Sequence, residues 1–95
     1  MEENFSIRKI FAKNVKKYRK LNNLTQENLA EAANISNTYV ANIECGQTWV
    51  SDKTLEKIAV ALHIDIYLFF IPDLPEKNEE ESVIKREEII SSLFL

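Results

Sequence analysis

The stretch from Gln26 to Cys45, QENLAEAANISNTYVANIEC, constrains this chain more than any other. It holds two helical periods of about two turns each, interrupted once, at Asn34-Ile35. Helices that short, joined by a turn of three to four residues, have to pack tightly at a steep angle. The residue types meet that demand. Ala30 is small where the second helix comes closest to the third, Asn34 tolerates the left-handed conformation the turn requires, and Ile35 is placed to plug the corner. Leu29, Val40 and Ile43 recur at helical spacing toward a shared core. Ser36, Asn37, Thr38, Tyr39, Ala41 and Asn42 are left on the outer face of the third segment.

Strand alternation is nearly absent from the rest, and short amphipathic segments follow one another with single capping residues between them. A first helix is expected from Asn4 to Leu21, with Ile7, Phe11, Val15 and Tyr18 as its apolar stripe and Asn22-Asn23 as its exit. Thr25 reads as the N-cap of a second helix, Gln26 to Ala33, and Ser36 as the N-cap of a third that ends at Gly46, the only glycine. Ser51 caps a fourth, with Leu55, Ile58, Ala59 and Leu62 on one face. Asp65 caps a fifth, Ile66 to Ile71, which Pro72 stops. Pro72–Ser82 reads as a linker, and Val83 to Phe94 as an amphipathic C-terminal helix carrying Ile89, Ile90, Leu93 and Phe94. The expected architecture is all-α: a compact five-helix domain over residues 1–71, then a linker and one further helix over 72–95.

Charge is unevenly placed. The net charge is −3, yet residues 1–62 carry nine Lys/Arg against seven Asp/Glu, and residues 63–95 carry three against eight. Seven of the bases lie within Arg8–Lys20. A basic front with an acidic tail is compatible with nucleic-acid binding. The single cysteine, Cys45, excludes an intrachain disulfide and fits a reducing cytoplasm. No signal peptide is evident, and Ile66–Ile71 is far too short to span a bilayer. No Gly-rich phosphate loop, nucleophile with a base, or metal-ligand set is visible, so neither an enzyme nor a cofactor is expected.

Phe11 to Leu68 resembles the lambda-repressor-like helix-turn-helix family, which includes Cro and Xre-type regulators. The resemblance rests on Phe11, Val15, Arg19, Leu24-Thr25-Gln26-Glu27, Leu29-Ala30, Ile35-Ser36, Val40, Ile43-Glu44, Gly46, Thr54-Leu55, Ile58-Ala59, Ala61-Leu62 and Ile64. It implies that Gln26 contacts a phosphate and supports the recognition helix, and that Asn37, Thr38 and Asn42 read base edges. It also implies that Arg19 and Glu44 form a partly buried ion pair. Physical chemistry agrees with these roles. The backbone N–H groups and dipole near Thr25 and Gln26 suit a phosphate, asparagine pairs with adenine in bidentate fashion, and threonine meets a thymine methyl. Ser36 belongs to the same surface, Tyr39 is a candidate for a phosphate or sugar, and Lys17 is the base of the first helix nearest the expected DNA face, with Lys13 and Lys16 behind it.

The chain departs from the family pattern in two ways. Asn23, Asn34 and His63 stand where relatives often have glycine, and Gln47, Thr48 and Trp49 stand where they commonly place Lys or Arg. Fewer phosphate contacts in that loop imply a shallow salt dependence. Trp49 is expected to plug the loop, His63 to end a helix, and Glu79–Glu81 to be a solvated linker. A redox role for Cys45 would need an electropositive setting. The partners implied are double-stranded DNA with a palindromic operator and a second copy of the chain, joined through the apolar run 66–71, the C-terminal helix, or both. The resulting expectation is a cytoplasmic repressor or autoregulator, such as a restriction-modification controller or phage-type repressor. The competing reading is a protein-interaction module or antitoxin-like partner, engaged through the C-terminal segment, that kept the fold with little or no DNA binding.

Overall fold

A computed structural model describes residues 6–73. Four α-helices follow one another: α1 (Ile7–Leu21), α2 (Gln26–Ala33), α3 (Asn37–Glu44) and α4 (Asp52–Leu62), then a 3-10 segment, Ile66–Phe70. The described residues contain no strand. The all-helical expectation holds, while the C-terminal helix Val83–Phe94 lies outside the described residues.

All four helices leave through the same backbone closure. A residue in the left-handed region follows each one: Asn23 (φ 57°), Asn34 (φ 55°), Gly46 (φ 75°) and His63 (φ 56°). The next amide then reaches back to a carbonyl in the last turn: Leu24 to Arg19, Ile35 to Ala30, Gln47 to Asn42 and Ile64 to Ala59, at 2.9–3.1 Å. This is the Schellman arrangement. After three of these exits the next residue is aliphatic, and Leu24, Ile35 and Ile64 each pack onto the core. Thr25 and Ser36 then cap the following helices, accepting from the amides of Asn28 and Tyr39 at 3.0 Å. Ser51 does the same for α4. Two helix junctions are thus made by one tripeptide pattern: a left-handed residue, an aliphatic plug and a hydroxyl cap.

The core gathers Phe11 and Val15 of α1, Leu29, Ala30 and Ala33 of α2, Val40 and Ile43 of α3, and Ile58, Ala59 and Leu62 of α4, with Val50 and Phe69. Burying one such aliphatic or aromatic side chain contributes about 1.5–3 kcal/mol. Phe11 is the centre of an aromatic group, edge-on to Trp49 and Phe69 at 5.2 and 5.3 Å and stacked on Phe70 at 5.8 Å.

Three expectations need correction. The first helix begins at Ile7 rather than Asn4: Ser6 is extended at its N-cap position, and residues 4 and 5 lie outside the described residues. Ile7 is exposed instead of joining the apolar stripe, because the core reaches α1 only from Phe11 onward. The fifth helix is a 3-10 turn ending at Phe70. Asn14, buried on α1, donates its amide to the carbonyls of Phe69 (2.8 Å) and Ile71 (2.9 Å). Pro72 further holds Ile71 in the extended region (φ −88°, ψ 113°).

Candidate nucleic-acid interface

The third helix has two unlike sides. Val40 and Ile43 are fully buried, and Ala30 lies buried in the α2 face that packs against them. Ser36, Asn37 and Thr38 are exposed at its start. Tyr39, Ala41 and Asn42, expected to be exposed, are half-buried, because a helix of eight residues wedged between α1 and α2 presents only its first turn fully to solvent. The ring of Tyr39 packs against the core, which leaves only part of that side chain for an outward contact.

A buried polar clasp fixes the other end of α3. Glu44 accepts two hydrogen bonds from Arg19, Nε to Oε2 at 2.7 Å and Nη2 to Oε1 at 3.0 Å, and a third from Gln26 Nε2 at 3.1 Å. The remaining guanidinium nitrogen, Nη1, donates to the carbonyl of Leu24 at 2.8 Å. Hydrogen bonding to Glu44 holds the guanidinium above its ordinary pKa, outweighing the opposing effect of burial. Side-chain exposure is 10% for Arg19 and 3% for Glu44, so this pair belongs to the fold, and a planar fork matched to a carboxylate suits it. Gln26 adds α2 to the clasp.

The remaining candidates divide by position. Thr25 and Ser36 are N-caps whose hydroxyl oxygens already accept one backbone amide each. The cap of α2 is reciprocal, since Asn28 Oδ1 accepts from the Thr25 amide at 3.3 Å. Lys17 pairs with Asp73 at 3.1 Å, so the structure joins it to the end of the described chain and not to α3. The α3–α4 loop carries no charge: Gln47 is exposed, and Trp49 is 39% exposed with its ring against Phe11. That loop is half plug, half surface. Among the described residues no group of three or more His, Cys, Asp or Glu side chains forms a metal-binding cluster.

Comparison with known proteins places this geometry. A model of the helix-turn-helix family HTH_3 matches residues 15–69, from the second half of α1 to Phe69 within the 3-10 segment. The chain belongs to this helix-turn-helix family. The lambda-repressor-like resemblance read from the residues is borne out. Control protein C.SmaI of Serratia marcescens is 40% identical over 60 residues, which are 63% of this chain and 71% of that protein. The ImmF control region 10 kDa protein of Bacillus phage phi105 is 38% identical over 65 residues, 68% of this chain and 72% of that one. Among solved structures, the restriction-modification controller protein C.AhdI from Aeromonas hydrophila matches with a TM-score of 0.65 at 32% identity, covering 66% of this chain and 96% of that chain. In helix-turn-helix terms α2 is the first helix of the motif and α3 the second.

Residue reading missed three structural contributors. Asn14 stands among the α1 bases, and its uncharged amide there is the available signal. Asp73 falls within the expected linker. The link from Gln26 to Glu44 had no signal in the sequence beyond what the family resemblance implied.

Proposed function

We propose that this protein is a sequence-specific DNA-binding transcriptional regulator that lays α3 in the major groove and acts as a homodimer. One observation carries the reading: α3 is locked from behind by Val40, Ile43 and the Arg19–Glu44–Gln26 clasp while Asn37 and Thr38 stand exposed at its start. The N-terminal residues of a recognition helix are the ones that meet base edges. Asn37 and Thr38 read bases, with Asn42 a half-buried third contact. Tyr39 and Ser36 meet the backbone, and the N-terminus of α2, with Thr25 and Gln26, takes a phosphate. The kinship with control proteins supports a repressor or autoregulator whose occupancy of its operator decides polymerase access. Such a protein works in the cytoplasm and needs no cofactor.

A single recognition helix has too few base contacts for stringent choice, and a twofold pair reading half-sites about 34 Å apart roughly doubles the discrimination. Val60, Ile66 and Tyr67 are exposed at 74%, 39% and 53% on α4 and the 3-10 segment, and we assign the dimer contact there, with 83–94 extending it.

Selection of bound duplexes from a random pool tests the reading, and an enriched palindrome is the expected result. Asn37→Ala then lowers discrimination at one base position by about 1–3 kcal/mol and leaves affinity for mixed-sequence duplex nearly unchanged. Equal loss on every sequence, or no binding even at low salt, would count against it.

A further inference from the structure

The last described residues run across α1 and carry a charge onto it. Asn14 holds the carbonyls of Phe69 and Ile71, and Asp73 then meets Lys17 at 3.1 Å, one turn further along the same helix. At 100° per residue, Lys17 lies between Asn14 and a stripe formed by Lys9, Lys13, Lys16 and Lys20. Helix α1 contains no acidic residue, and Lys13, Lys16 and Lys20 are exposed. The chain therefore leaves the domain at the edge of its most basic surface. The sequence beyond that point is acidic: Glu76 and Glu79–Glu81 come within eight residues of Asp73. This part of the chain also lies beyond the family match, which ends at residue 69.

We propose that the acidic segment 73–81 docks on the lysine stripe of α1 of the same molecule and competes there with DNA phosphate. The competition rests on the DNA-binding reading above, whereas the docking does not. The Lys17–Asp73 pair is its first contact. Neighbouring carboxylates in the same short span then reach Lys13, Lys16 and Lys20, whose mutual repulsion they relieve. A lysine paired with a carboxylate neutralises a phosphate only after that pair is broken, so fewer counterions leave the DNA and the salt dependence is shallower than the count of bases implies.

The test uses the full chain. Zero-length carbodiimide coupling at low salt, mapped by mass spectrometry, should join Glu76 or Glu79–Glu81 to Lys13, Lys16 or Lys20 within the monomer band, and 0.5 M salt should abolish it. Coupling spread equally to Lys53 and Lys57, or confined to the dimer band, would overturn the docking. Neutralising the four glutamates (E76Q/E79Q/E80Q/E81Q) should raise affinity for duplex DNA at 50 mM salt and steepen the salt slope, so that affinity falls roughly tenfold more between 50 and 200 mM, about two phosphate contacts' worth. The gain should vanish in a Lys13→Gln/Lys16→Gln background, where a general effect of net charge would persist. Specific coupling without any DNA binding would remove the proposed function and leave the docking standing, and coupling with unchanged affinity would remove the competition alone.

Discussion

The two ends of α3 are held by different means. At its start, the junction Asn34-Ile35-Ser36 is set by backbone closure, an apolar plug and a hydroxyl cap, all within three residues. At its end, Gly46 makes the same closure, but Gln47 follows where the other exits have an aliphatic residue, and the chain runs on through Thr48 and Trp49 before Ser51 caps α4. The end of α3 depends instead on side chains of three helices meeting at Glu44. The start of the helix is therefore a local device that a short peptide pattern encodes. The end is a tertiary one that exists only when α1, α2 and α3 are assembled. A reading helix needs both: its first turn must be stiff, and its axis must be aimed.

Breaking the tertiary anchor should cost most. Glu44→Ala leaves the Arg19 guanidinium buried without its carboxylate, and removing one partner of a buried pair typically costs 3–5 kcal/mol. The slight exposure of Arg19 puts the expected loss near 3 kcal/mol. A urea melt measures it, and a loss below about 1 kcal/mol would mean that the pair behaves as a surface ion pair. Breaking the local device should cost less. Ser36→Ala removes the acceptor for the Tyr39 amide, worth about 1 kcal/mol, and hydrogen exchange should quicken in the first turn of α3 more than in its last. Uniform quickening would show that the cap acts on global stability alone.

Legibility followed the same division. Asn34, Ile35 and Ser36 could be assigned from residue type, because a left-handed position, a plug and a cap each have a local chemical signature. The outer positions Asn37 and Thr38 followed from helical spacing. The partial burial of Tyr39 and Asn42 did not, since it depends on how α1 and α2 flank a helix only eight residues long. The 3-10 form of Ile66–Phe70 was equally hidden: its apolar run fits either helix, and the decision rests with the amide of Asn14, more than fifty residues away. The Arg19–Glu44 pair, separated by twenty-five residues, is implied only by the family resemblance. Short-range chemistry is written in the sequence, whereas long-range partners are not.

The smallest effect sharpens the comparison at the loop. Gln47 is exposed, and its structural duty is carried by its backbone, whose amide donates to the Asn42 carbonyl at 3.0 Å. Gln47→Lys should therefore leave the melting midpoint unchanged. If the loop faces the phosphate backbone, the added charge makes one further contact and steepens the slope of log affinity against log salt by about 0.9. Between 50 and 200 mM salt that amounts to roughly a threefold extra loss of affinity, with correspondingly tighter binding at the low end. Fluorescence anisotropy on a mixed-sequence duplex resolves such a change, and the operator should show the same increment, because a phosphate contact carries no base information. An unaltered slope would mean that the uncharged loop is turned away from DNA. The side-chain anchor at Glu44 would then aim the first turn of α3 alone, and the end of the helix would take no part in binding.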